Sequence, residues 1–215
     1  MIRMTVFDLR NIFSTSPWRV LLALGLIVVI GLTAPVQGAA ILVGGYVGAI
    51  LLTYMFLTDE RGRLDALYGL SHVSRTSVVI GRYATALIVG AFTSVFGFVV
   101  ALVIDAVQRA RVEWPVIGLM SLAAFAVAAV SLGVLLPWYF AMGYARGRQA
   151  MLVLVLAFAG LAWFAGRTPL FDDPAVGLSA VGDMADLTVI TVASGLVVLA
   201  ISAMLAARLY RRRSL

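Results

Sequence analysis

The chain has no cysteine, no lysine and a single histidine, and charged residues make up only 12% of its 215 positions. Without cysteine, disulfides and thiolate metal centres are excluded. Without lysine, a GxxxxGK[ST] phosphate loop is excluded, so the chain cannot bind ATP by that route. The sixteen basic residues are therefore all arginine, a usage that suggests a GC-rich coding genome and a bacterial source. Charge is scarce as well. A soluble domain carries about 25% charged residues, and this chain has too few to cover a water-facing surface. With 63% hydrophobic residues and a mean hydropathy of +1.07, it reads as an integral membrane protein.

The apolar runs are continuous rather than alternating, which predicts helices and not a barrel. A ruler of about 20 apolar residues per crossing gives six spans, at about 17–34, 36–58, 83–104, 114–140, 149–165 and 187–207. The fold class is thus all-α, a six-span polytopic protein in one transmembrane domain over 1–215. The first run is short, and Arg19 is expected to snorkel at its start. Pro35 and Gln37 mark a tight turn. A signal peptide is the poorer reading of this run, because no soluble domain follows it.

Even span number places both ends on one side. That side holds thirteen arginines against four acids, the 59–82 stretch included, while the other holds three arginines (Arg109, Arg111, Arg167) and six acids. The positive-inside rule then puts both termini in the cytoplasm. The net charge of +6 reports this topology and contact with anionic lipid. It does not indicate nucleic-acid binding, since no basic surface is interleaved with exposed aromatics.

No Asp, Glu, Arg or His falls near the middle of a predicted span. Proton- and ion-coupled transporters keep an ionisable group there, so that class is disfavoured, although a sodium site of carbonyls and hydroxyls stays open. No repeat relates the two halves. Neither an HExxH site nor an acid cluster suited to Mg²⁺ is present, which argues against a membrane enzyme and against a bound metal. His72 has no nucleophile partner in a recognisable motif and reads as a loop residue. Asp172–Asp173, followed by Pro174, reads as solvated loop.

Two polar segments remain. In 1–16, Ile2, Val6, Leu9 and Phe13 follow helical spacing and predict an amphipathic helix in the membrane interface, either a plain anchor or one that also touches a partner. The stretch 59–82 is a polar island between apolar runs, holding Asp59, Glu60, Asp65, His72 and four arginines. Leu64, Leu67 and Leu70 or Val73 can share one face of a short helix, with the acids at its dipole-favoured start. Ser74 can then cap the next helix. The island is either a solvated connector or a point where something soluble pushes. Gly44 and Gly48 form a GxxxG, which serves helix packing within one chain or between two.

Four stretches resemble the small bacterial six-span permeases of the ABC-2 type, in which the ATPase is a separate chain. They are VFDLRNIF, TDERGRLDALYGLSHVSRTSVVIGRY, LPWYFAMGYARGR (Leu136–Arg148) and the basic tail ARLYRRRSL. Two departures stand out: His72 replaces a common proline, and Ala145 and Gly147 replace more polar residues. The resemblance implies a non-enzymatic exporter subunit of the bacterial cytoplasmic membrane that binds no cofactor itself. ATP and Mg²⁺ would sit on two partner ABC ATPase subunits, and a second copy of the chain would complete the assembly. The 59–82 loop would be a coupling helix contacting the ATPase through Asp59, Glu60, Asp65, Leu67, Tyr68, Leu70, His72 and Arg75. Tyr144, Arg146 and Arg148 would form a second cytoplasmic loop, and Gly44 and Gly48 a close-approach surface. Relatives of this build export hydrophobic peptides, bacteriocins or drugs, or confer immunity to them. A non-transporting scaffold or immunity protein that binds a toxin is the alternative.

Overall fold

A computed structural model describes residues 5, 6, 9, 10, 17–34, 36–62, 75–165, 167 and 183–212. All regular structure among these residues is helical, with no strand. The long elements are α1 (Pro17–Thr33), α2 (Ala39–Gly62), α3 (Arg75–Gln108), α4 (Trp114–Ala165) and α5 (Met184–Arg212). Three helical stretches are long and apolar enough to cross a membrane: Thr76–Gln108, Trp114–Tyr144 and Met184–Tyr210. The other three expected spans fall on shorter apolar helices, Pro17–Thr33, Ala39–Tyr54 and Gln149–Leu161. At 1.5 Å per residue, the 17 residues of α1 reach about 25 Å, short of a hydrocarbon core of about 30 Å.

Helix α2 lies at the centre, packed against α1, α3 and α4, while α5 packs chiefly on α4. Glycine makes the tightest of these contacts. A Cβ on Gly45 would stand 2.6 Å from the Ala124 carbonyl, and one on Gly48 would stand 2.7 Å from Cα of Gly90. A Cβ on Gly44 would run into the Thr93 carbonyl. The GxxxG face of α2 is therefore used inside the chain, against α3. Backbones this close gain dispersion contacts that larger residues would forbid, which is how helices associate where lipid removes the hydrophobic drive.

Two helix ends carry well-defined caps. At the end of α3, Ala110 donates to the Asp105 carbonyl at 3.0 Å and Arg109 to Ala106 at 3.3 Å. This is a Schellman motif, and it places Arg109 in the left-handed region with φ 53°. Nearby, Gln37 donates from Nε2 to Asp105 Oδ2 (2.9 Å) and to the Arg111 carbonyl (3.1 Å). Its Oε1 accepts from the Glu113 N–H at 3.2 Å. One amide thus ties the α1–α2 turn to the α3–α4 connection, and Asp105 is only 6% exposed beneath it. At α5, Asp183 caps the helix by accepting the Ala185 N–H at 3.0 Å.

Helix α4 joins what the sequence suggests are two spans and an intervening loop. The helix runs through Arg146 and Arg148 and breaks only at Gly143, with φ 75° and ψ −178°. That backbone region is open essentially to glycine alone. Polar residues at a membrane surface do not by themselves unwind a helix, because arginine can snorkel while the backbone bonds persist. Pro137, by contrast, sits inside the helix without breaking it. Proline has no N–H for the Gly133 carbonyl four residues back. Ser202 of α5 supplies the missing donor, its Oγ lying 2.9 Å from that carbonyl. Since Ser202 spends its proton there, the Tyr83 hydroxyl of α3 donates to Ser202 at 2.5 Å. Three helices are joined by filling the gap that one proline leaves.

Candidate functional site

The arginine-rich end of the bundle is the candidate site, because the stems of the polar island converge there. Helix α2 continues through Asp59 and Glu60 to Gly62, and α3 begins at Arg75, the residue after the expected cap Ser74. The island therefore narrows to 63–74 between helices, and Asp65, Leu67, Tyr68, Leu70 and His72 lie outside the described residues. Asp59 and Arg75 are placed as helical backbone only, whereas Glu60 is exposed on the last turn of α2. On α4, Arg146 is exposed, Tyr144 half-buried, and Arg148 is placed in the helix. The N-terminal stripe is described only in part. Val6 points outward, while Thr5 and Leu9, one turn apart, face the protein.

The element that sequence reading missed is a buried arginine in a block of rings. Arg82, assigned to the polar island, is 3% exposed. Its guanidinium carbon lies 4.6 Å from the centre of the Phe56 ring and 5.9 Å from that of Phe140. Phe56 stacks on Tyr139 at 4.8 Å and meets Phe140 edge-on at 5.4 Å. Phe140 in turn packs on Tyr210 of α5 at 5.3 Å. The electron-rich ring faces stabilise a cation that is almost wholly removed from solvent, an attraction of about 2 kcal/mol once desolvated. A cavity of about 110 Å³ opens beside the block, lined among others by Glu60, Arg82, Met142, Tyr144 and Tyr210. A second arginine behaves similarly at the periphery, with Arg19 lying 4.8 Å over the ring of Tyr54.

The block grips both limbs of α4. Tyr139, ahead of the break, donates to Thr53 Oγ1 at 3.2 Å, and Thr53 reaches Met151 Sδ beyond the break at 3.6 Å. Tyr144 stacks on Tyr139 across Gly143 at 6.5 Å. Gly147 lies so close to the Tyr139 ring that a side chain there would collide with it. Further along, Phe158 meets Tyr46 of α2 edge-on at 5.6 Å. The second limb thus folds back along α2.

No group of three or more His, Cys, Asp or Glu that could hold a metal occurs among the described residues. Among the described residues the buried polar side chains are Arg82, Asp105 and a set of serine and threonine hydroxyls, several of which bond to helix carbonyls or across helices. This arrangement is that of a helical protein with apolar segments of membrane-crossing length and most of its arginines at one end. The family model described as ABC-2 family transporter protein matches residues 9–211, and the chain belongs to that family of membrane transport permeases. No curated protein and no solved structure matches the chain.

Proposed function

We propose that the chain is the membrane permease subunit of an ATP-binding-cassette exporter, driven by a separate ATPase and working as a pair of copies. The observation that carries this reading is the family match over residues 9–211. The sequence supports the division of labour, since without lysine it holds no phosphate loop of its own. In this reading six helical segments cross the membrane: α1, α2, α3, the two limbs of α4, and α5. The arginine-rich end faces the bacterial cytoplasm, where residues 63–74 seat in the ATPase. Closure of the ATPases on ATP displaces that segment and, through its stems, the helices. The substrate is a hydrophobic or amphipathic molecule such as a peptide, bacteriocin or drug. It is handled by apolar and small polar side chains, because the spans offer no central charge.

Purification from native membranes tests this. A tagged chain should bring down a protein with a Walker motif in stoichiometric amount and stimulate its ATP hydrolysis. Leu67→Asp and Arg75→Glu should lower that stimulation at least fivefold. A native chain that retains no ATPase is instead the scaffold or immunity protein, and the permease reading fails.

A further inference from the structure

We propose that Arg82 and its ring block form a stiff joint that delivers movement of the 63–74 segment to the second limb of α4 (144–165), as rotation about Gly143. This rests on the permease reading for its driver, but the joint itself is a property of this chain. Phe56 is on the helix that enters the segment, and Arg82 is on the helix that leaves it. Both meet at Phe140, three residues ahead of Gly143. The two stems are thereby pinned to one another and to the lower end of the first limb. Pulling the stems apart would strip a 97%-buried cation of the rings that compensate it, so they move together. Lysine does not substitute well, because the planar guanidinium can lie against two rings at once and a compact ammonium cannot.

What yields is α4 at Gly143. Its φ of 75° and ψ of −178° leave that residue as the one non-helical backbone position in 52 residues. Beyond it, the second limb is held to Tyr139 and Thr53 by ring stacking, by the close approach of Gly147, and by a sulfur contact. These are contacts that slide more readily than a buried ion moves. The cavity beside Met142, Gly143 and Tyr144 provides room for the rings to shift. Arg82 is a positioning residue in this account, acting on transport through α4 rather than on the substrate.

The absence of native cysteine makes the test clean. Spin labels on Val134→Cys in the first limb and Leu156→Cys in the second, both on exposed positions, report the angle between the limbs. Labelled chain is diluted with unlabelled chain in nanodiscs, and distances are read by pulsed electron resonance. With the ATPase and trapped Mg-ATP, the native chain should show a shifted distance. Arg82→Ala and the milder Phe140→Leu should lose at least half of that shift while the ATPase still copurifies. In the isolated chain both variants should at least double the width of the distribution. Phe140→Leu keeps the site apolar, so it serves if Arg82→Ala does not fold. Folded variants with the native shift overturn the joint. If no ATPase engages the native chain, the permease reading fails separately. The width comparison then decides the joint alone, and native widths in both variants reject it.

Discussion

Replacing Ser202 with alanine removes one hydroxyl and strands two groups. The Gly133 carbonyl loses the 2.9 Å donor that stands in for the N–H missing at Pro137, and the Tyr83 hydroxyl loses its acceptor. A buried carbonyl left without a donor costs about 1–3 kcal/mol. Hydrogen bonds between helices in membranes are worth about 0.6 to 2 kcal/mol, because the separated helices also find partners. A loss of about 2 kcal/mol in unfolding free energy is the expected result for Ser202→Ala. Pro137→Ala restores an N–H at the helical position that faces Gly133, so the carbonyl no longer depends on α5. In that background Ser202→Ala should cost about 1 kcal/mol less, the remainder being the Tyr83 contact. Reversible unfolding in mixed micelles, followed by loss of helicity, measures all four corners of the cycle. Costs that agree in both backgrounds within about 0.5 kcal/mol, the usual scatter of additive changes, would refute the proposal that Ser202 fills the proline gap.

Gly48→Ala and Gly44→Ala each force α2 away from α3, where a Cβ meets Cα of Gly90 or the Thr93 carbonyl. Each should lower stability by about 1–3 kcal/mol in the same unfolding assay. Arg109→Gly relieves a left-handed residue at the end of α3 and should stabilise the chain by up to about 1 kcal/mol, read as a raised melting temperature in detergent. Gln37→Ala removes the amide that joins Asp105 to the 111–113 connection. It should cost about 2 kcal/mol and speed amide exchange in the α1–α2 turn, whereas Gln37→Glu should be worse, since it sets a second carboxylate against Asp105.

Much of the helical architecture was legible because lipid-facing segments need no alternation and announce themselves by length. The start of α3 was legible too, from a serine followed by a helix-forming run. The boundary inside α4 was not. Gly143, Arg146, Gly147 and Arg148 read together as a loop, yet only Gly143 leaves the helix, because the charged side chains extend outward without cost to the backbone. The signal that was available is Pro137: a proline inside an apolar run implies an orphaned carbonyl at Gly133 and hence a donor on a neighbouring helix. Which helix carries that donor is a matter of tertiary packing. The same holds for Gly44 and Gly48, whose spacing shows a close-approach surface but not what approaches it. Arg82 was hardest to read, since it looks like its neighbours in a polar island. Only the convergence of Phe56, Tyr139, Phe140 and Tyr210 from three other helices turns it into a buried group.

The measurement closest to the central claim is a photo-cross-link from residue 67. With Leu67 replaced by a photoreactive amino acid in the otherwise native chain, illumination of cells should attach it to one soluble protein carrying a Walker motif. A probe at Gly177, assigned to the opposite side, should attach to none. The adduct at 67 should change in yield when ATP is depleted. Probes at 67 that react only with lipid or with a second copy of the chain, in cells that carry out the export, would contradict an ATPase-driven permease.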